Sequence, residues 1–283
     1  MEEINVEALV DRCLKLIHES QDHNHSASHC PKGFNNCKQV FIGIAGTPGS
    51  GKSYIAEQVR DAINQRNPNG KSELNECVVI GMDGYHMTRE TLKQKADAGE
   101  TFKTDESGKV EHKKMSFEQL MARRGASYTY NPRTFIRDLR RVKETGQGSF
   151  PVYDRAKHDP VPDGVSIGPH NKIILVEGLY LLCLHDPEWQ PLEDLWDDKW
   201  YIDVSMEETR RRLIKRHLKN WNDEKTERWG GDDEAAAARK AESNDLVNAE
   251  CIKRMSQDKA NIIIKNEKIP ENDSNNADVD ASA

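Results

Sequence analysis

The apolar positions of this chain follow two alternating periods. Val6, Leu9, Val10, Cys13, Leu14 and Ile17 recur at helical spacing and predict an opening helix over residues 5–19. A polar stretch, 22–38, separates it from Gln39-Val40-Phe41-Ile42-Gly43-Ile44-Ala45, a continuous apolar run that reads as a buried strand. Ile55, Val59, Ala62 and Ile63 then share one helical face, which Pro68-Asn69-Gly70 ends. Four more short apolar runs predict strands: Cys77 to Met82, Ile173 to Val176, Trp200 to Val204 and Asn261 to Lys265. Helical patterns lie between them. Asn131-Pro132 supplies a cap and a first-turn proline before Phe135, Ile136, Leu139 and Val142. Ser205-Met206-Glu207-Glu208 predicts a capping box. Strands alternating with helices predict an α/β fold with parallel strands and crossover helices.

The organisation that follows is an N-terminal helix and polar loop over 1–38, a main domain over 39–265, and an acidic tail over 266–283 expected to be disordered. The charged stretch 93–115 reads as an exposed insertion.

Charge narrows the classes of partner. Lys and Arg number 41 against 48 Asp and Glu, a net charge of −7, so a general nucleic-acid coat is excluded for want of a basic face. Arg137, Arg140 and Arg141 lack interleaved aromatics and read as a solvated helix face. The longest apolar run, Ile173 to Leu184, is shorter than the ~20 residues of a spanning helix and contains Glu177, so no membrane association is expected. The acidic start, Met1-Glu2-Glu3, fits neither a secretory signal nor a transit peptide. Six scattered cysteines read as reduced thiols of a cytoplasmic or nuclear protein. His23, His25, His29, Cys30 and Cys37 cluster without zinc spacing and read as a loop.

Gly46-Thr47-Pro48-Gly49-Ser50-Gly51-Lys52-Ser53 matches G-x-x-x-x-G-K-[ST] between a predicted strand and a predicted helix. Glycines there let backbone N–H groups turn toward phosphate oxygens at a helix N-terminus. Lys52 is placed to meet the β and γ phosphates, the Ser53 hydroxyl to meet Mg²⁺, and Tyr54 follows within the same nucleotide-binding segment. The predicted ligands are therefore ATP and Mg²⁺. The chain has neither the Asn-Lys-x-Asp of a GTPase nor the Leu-Ser-Gly-Gly of a transporter ATPase.

The second strand ends in Gly81-Met82-Asp83-Gly84-Tyr85-His86. Parallel strands bring their C-terminal ends to one rim, where Asp83 is positioned to accept a hydroxyl proton and His86 to contact substrate. Residues 151–160 gather Tyr153, Asp154, Arg155 and His158 in what reads as a loop suited to orienting a polar small molecule. Glu177 closes an apolar strand at the position of a Walker B carboxylate, a second candidate Mg²⁺ ligand. Arg212 and Arg216 share a helix face and form a candidate phosphoryl clamp in a lid spanning 210–233, with Trp229-Gly230-Gly231 as its return hinge. Asn244 and Asn248 also share a face.

In this order, the P-loop, Met82 to His86, Tyr153-Asp154, Glu177-Gly178 and Arg212-x-x-Lys215-Arg216 resemble the phosphoribulokinase, uridine kinase and pantothenate kinase superfamily. The resemblance covers about residues 38–265. Arg124-Gly125-Ala126, Tyr153 to Ala156, Val176 to Leu182 and Asn244 to Ala249 look closest to the branch of fungal uridine-kinase-like ATP-dependent kinases and bacterial fructose-transport-associated kinases. It implies a doubly wound P-loop NTPase fold with a five-stranded parallel sheet, order 2-3-1-4-5, and a helical lid. Asp83 then matches the catalytic Asp, and Tyr153 and His158 match nucleoside contacts. His86 stands where uridine kinases have Tyr, and Asp159-Pro160 where they have Ser-Arg.

The function expected is transfer of the ATP γ-phosphoryl group to a hydroxyl of a nucleoside, a sugar or a pantothenate-like alcohol. A P-loop ATPase acting as a switch or assembly factor is the alternative. Nothing in the sequence sets the oligomeric state.

Overall fold

A computed structural model describes residues 5–22, 39–66, 76–106 and 109–267. Five parallel strands form the central sheet: β1 (Val40–Gly46), β2 (Cys77–Gly81), β7 (Ile173–Gly178), β8 (Asp198–Asp203) and β9 (Ile262–Lys265). Their spatial order is β2-β7-β1-β8-β9, which is 2-3-1-4-5 when only the core strands are counted along the chain.

The period of two explains the layers. Val40, Ile42, Ile44, Ile173, Leu175, Trp200 and Ile202 face one side and pack with Leu9, Val10 and Cys13 of α1 (Val6–Asp22) and Ile55, Val59 and Ile63 of α2 (Lys52–Gln65). Phe41, Ala45, Ile174, Val176 and Tyr201 face the other, against Phe135, Leu139 and Val142 of α5 (Pro132–Thr145) and Ile252 of α9 (Leu246–Ser256). With both faces covered, the central strands β1 and β7 are buried throughout and read as near-continuous apolar runs.

Between β2 and α5 lie α3 (Arg89–Asp97), an antiparallel hairpin of β3 (Thr101–Glu106) and β4 (Lys109–Lys114), and α4 (Phe117–Ala122). The 93–115 segment is thus only partly the exposed insertion expected. Phe102 is buried beside Leu92, Leu120 and Tyr128, which anchors the hairpin to the domain.

Three further expectations are corrected. Residues 151–160 are not a loop but belong to a second hairpin, β5 (Gly148–Asp154) with β6 (Asp159–Ile167). A two-stranded ribbon consists only of edges, and its register shifts between Phe150 and Val152, so Pro151 and Pro160 are tolerated. The capping box at Ser205 is half formed. Its side chain accepts from Glu208 N at 3.2 Å, but the Ser205 N–H donates to Glu267 at 2.9 Å, because Glu208 is held by Arg211 and Arg212. The tail expected to begin at 266 loses its first two residues to the fold: Asn266 is buried, and Glu267 caps α6 (Met206–Lys219). Residues 268–283 and the His/Cys stretch 23–37 lie outside the described residues.

After α6 the chain forms α7 (Asp223–Trp229) and α8 (Glu234–Lys240), then a single π turn over 241–245 that leads into α9. The His217 Nε2–H donates to Asp245 at 2.6 Å and joins α6 to that turn.

Candidate active site

The P-loop leaves β1 at Gly46, where a Cβ would sit 2.8 Å from the Ile202 carbonyl. Gly49 and Gly51 have φ of 74° and 88°, the left-handed region that favours glycine. The chain thereby makes a tight turn and enters α2 at Lys52. Lys52 is only 2% exposed, and its Nζ donates to the Thr47 carbonyl at 3.1 Å within the loop. The Ser50 Oγ is buried with no protein partner among the described residues, and Ser53 is buried at the first turn of α2. This cradle fits a nucleotide polyphosphate. Tyr54 packs partly against the apolar cluster shared by α1 and α2.

Register sets the neighbouring groups. Glu177 pairs with Ile44 on one side and Gly81 on the other. Its buried carboxylate therefore lies between the strand feeding the P-loop and the strand leading to Asp83. A hard-cation ligand set of Ser53, Glu177 and substrate phosphates suits Mg²⁺.

Asp83 is buried in a 3₁₀ turn, Met82–Tyr85. The Tyr130 hydroxyl donates to its Oδ1 at 2.9 Å. Burial pushes the Tyr130 phenol well above its ordinary pKa, so it stays a donor. Gly84 is required for close approach, since a Cβ there would overlap the Pro151 carbonyl of β5. That contact presses the β5–β6 hairpin against the Asp83 turn. His86 is held opposite Tyr130 by an antiparallel bridge, with ring centroids 4.0 Å apart, and Tyr153 of β5 lies 5.0 Å from the His86 ring.

From the other side, α6 supports the P-loop. Arg212 donates from Nη1 to the Gly49 carbonyl at 3.2 Å, from Nη2 to the Asn266 carbonyl at 2.7 Å and from Nε to Glu208 at 2.7 Å. Asn266 in turn donates to the Ser50 carbonyl at 2.7 Å.

The model of the phosphoribulokinase/uridine kinase family matches residues 41–222. The chain belongs to this family. Among relatives of this kinase, the ATP-dependent kinase-like protein notR' of Aspergillus versicolor is 32% identical over 176 residues, covering 60% of this chain and 86% of that protein. Protein C227.14 of Schizosaccharomyces pombe is 33% identical over 183 residues, 64% of this chain and 67% of the other. The crystal structure of YFH7 from Saccharomyces cerevisiae shares the fold, with a TM-score of 0.67 at 19% identity over 94% of this chain and 100% of that one.

Within this family member, the residues singled out in the sequence separate into groups. Gly46 to Ser53, Asp83, Glu177 and Arg212 gather at the C-terminal rim of β1, β2 and β7, and His86 and Tyr153 adjoin Asp83. Arg155 and His158 instead occupy the exposed turn of the β5–β6 hairpin, His158 with φ 54°. Arg216 is on the same helix as Arg212 but faces the buried pair His217 and Asp245, whose charges it adjoins. Asn244 donates to the Arg124 carbonyl at 2.8 Å and accepts from Arg123, a structural role.

Tyr130 had no signal of its own in the sequence, and Arg124 entered only as part of the family resemblance, without a role. Tyr130 precedes a helix cap and reads as part of a turn. Arg124, 3% exposed, donates to the His158 and Met87 carbonyls and to Asp159, and so ties the hairpin turn to the segment after His86.

Proposed function

We propose that this kinase transfers the γ-phosphoryl group of ATP to a hydroxyl of a small polar metabolite, within the class of nucleosides, sugars and pantothenate-like alcohols. The observation that carries the reading is Asp83. It is a buried carboxylate, oriented by Tyr130, one strand removed from the P-loop strand on the same rim. A switch ATPase has no need of such a group there.

Each residue then has a task. Gly46 to Tyr54 surround the phosphates and Lys52 neutralises them. Ser53 and Glu177 hold Mg²⁺, which supplies charge neutralisation at the phosphates when bound. Asp83 takes the hydroxyl proton as the new O–P bond forms and the bond to the departing ADP oxygen breaks. His86 and Tyr153 line the acceptor pocket, with Arg155 and His158 above it on the hairpin turn. Arg212 fixes the P-loop, and Arg216 joins the transferring phosphoryl group when the lid closes. Among the described residues, Cys13, Cys77, Cys183 and Cys251 form no disulfide, which suits a reducing, cytoplasmic setting. No helix among the described residues is long and apolar enough to cross a membrane.

The test is incubation with γ-labelled ATP and a metabolite mixture. Label in a phosphorylated metabolite is the expected result. Label only in inorganic phosphate would make the chain an ATPase.

A further inference from the structure

Arg133, Arg137, Arg140 and Arg141 form one stripe of α5, about 12 Å long at the rise of a helix. Phe135, Leu139 and Val142 hold the helix in the core, and the arginine stripe is exposed. As sequence the stripe reads as a solvated face, but the structure gives it a wall. Pro187, Glu188 and Pro191 line a groove of about 650 Å³ together with it. That wall is firmly held. The Glu188 N–H donates to Asp186 at 3.0 Å, the buried Trp189 and Leu192 anchor the turn, and Lys143 of α5 donates to the Leu195 carbonyl at 2.5 Å. The groove is therefore built before any ligand arrives.

Its charge is unbalanced. Arg137 donates from Nε and Nη2 to Asp138 at 3.0 and 2.9 Å. Arg133, Arg140 and Arg141 have no side-chain partner among the described residues. Against these cations the lining sets the carboxylates of Glu144 and Glu188. Like charges four apart repel on a helix, as Arg133 and Arg137 do, and Arg137 and Arg141. In a chain of net charge −7 this is a local reversal of sign that an anion relieves. The lining also chooses among anions. Every cation in it is Arg, whose planar fork binds phosphate oxygens in pairs. Ile136, Pro187 and Pro191 add apolar surface for the carbon part of a ligand, and the volume is that of a small-molecule pocket. We infer that this groove binds a small organic phosphate bearing at least two phosphoryl groups, at a site separate from the nucleotide site. None of its lining residues belongs to the P-loop, the Asp83 turn or β7. The phosphates engage Arg140 and Arg141 directly. Arg137 joins them by leaving Asp138, since an exposed pair of that kind contributes little by itself.

The test is calorimetric titration of the full chain with adenosine 3′,5′-bisphosphate, the P-loop being saturated with a non-hydrolysable ATP analogue and Mg²⁺. Binding should show a Kd below about 1 mM and weaken as salt is added. The double variant Arg140→Gln, Arg141→Gln should weaken it about tenfold or more. Thermal stability and ATP affinity should stay as in wild type, because both side chains are exposed. Glu188→Gln takes a repelling carboxylate from the wall and should tighten binding by about two- to threefold, a gain that misfolding cannot produce. Hexaglutamate is the competing probe. Absence of bisphosphate binding up to about 1 mM overturns the proposal, as does equal affinity in the double variant. A hexaglutamate Kd as low as that of the bisphosphate also overturns it and makes the groove a site for an acidic peptide.

Discussion

Tyr130 donates its hydroxyl hydrogen to Oδ1 of Asp83 at 2.9 Å, from a ring packed at a tilt against His86. The bond orients the carboxylate that the proposed mechanism uses as proton acceptor. Hydrogen bonds to charged groups contribute about 1.5–3 kcal/mol. Tyr130→Phe should therefore lower kcat by about ten- to a hundredfold with the nucleotide Kd unchanged. Steady-state kinetics beside nucleotide titration checks this, and an unchanged kcat would make Tyr130 a packing residue.

Asp83 itself separates kinase from ATPase. Asn has nearly the same size but takes no proton from the acceptor. Asp83→Asn should retain ATP binding and lose transfer to the acceptor by roughly 10²–10⁴-fold, while slow hydrolysis to water persists. Isothermal titration with ATP and Mg²⁺, run beside product analysis, reads both. Loss of nucleotide binding would move Asp83 into the metal shell.

The parts of this fold that are legible in sequence share a physical cause. β1 and β7 are buried on both faces, so their apolar runs have no competing reading. The P-loop is legible because its glycines and Lys52 answer a local requirement. The hairpin at Tyr153 is not: Pro151, Pro160 and a dense mixture of charges are loop signals, and only packing on Gly84 makes the segment a ribbon. Tyr130 is hidden for a related reason, since its partner lies 47 positions away and no periodicity links them. Arg212 could be placed on a helix face, but not beneath Gly49, because that contact depends on tertiary packing of α6 against the P-loop and on Asn266 beyond the last strand.

Acid stability should report the buried His86 ring. Burial lowers its pKa to about 3 in the folded chain, against about 6.5 when unfolded. As pH falls, the unfolded chain binds the proton first. The contribution is thus complete above about pH 6.5 and is lost below it by about 1.4 kcal/mol per pH unit, or about 2 kcal/mol at pH 5. Urea unfolding of wild type and His86→Gln between about pH 7 and 5 should give profiles that converge toward acid by that amount. Parallel profiles would show that the folded ring titrates normally.

Arg212 gives the last test, because its geometry joins three elements. Its guanidinium reaches the P-loop at Gly49, the chain after β9 at Asn266, and its own helix at Glu208, with the side chain 9% exposed. Removing it leaves two carbonyls and a carboxylate without that donor, at a cost of about 2 kcal/mol or more. Because Gly49 shapes the phosphate cradle, Arg212→Ala should lower both thermal stability and nucleotide affinity, the latter by about tenfold. Arg212→Lys should recover little, since a single ammonium cannot reproduce the planar fork. Arg216 offers the contrast. Its proposed contact forms on closure, so Arg216→Ala should lower kcat more than it weakens ATP binding. Thermal melts and ATP titrations of the three variants decide the matter. If Arg212→Ala lost kcat alone, with stability and affinity intact, Arg212 would act on the transferring phosphoryl group rather than as an anchor of the loop.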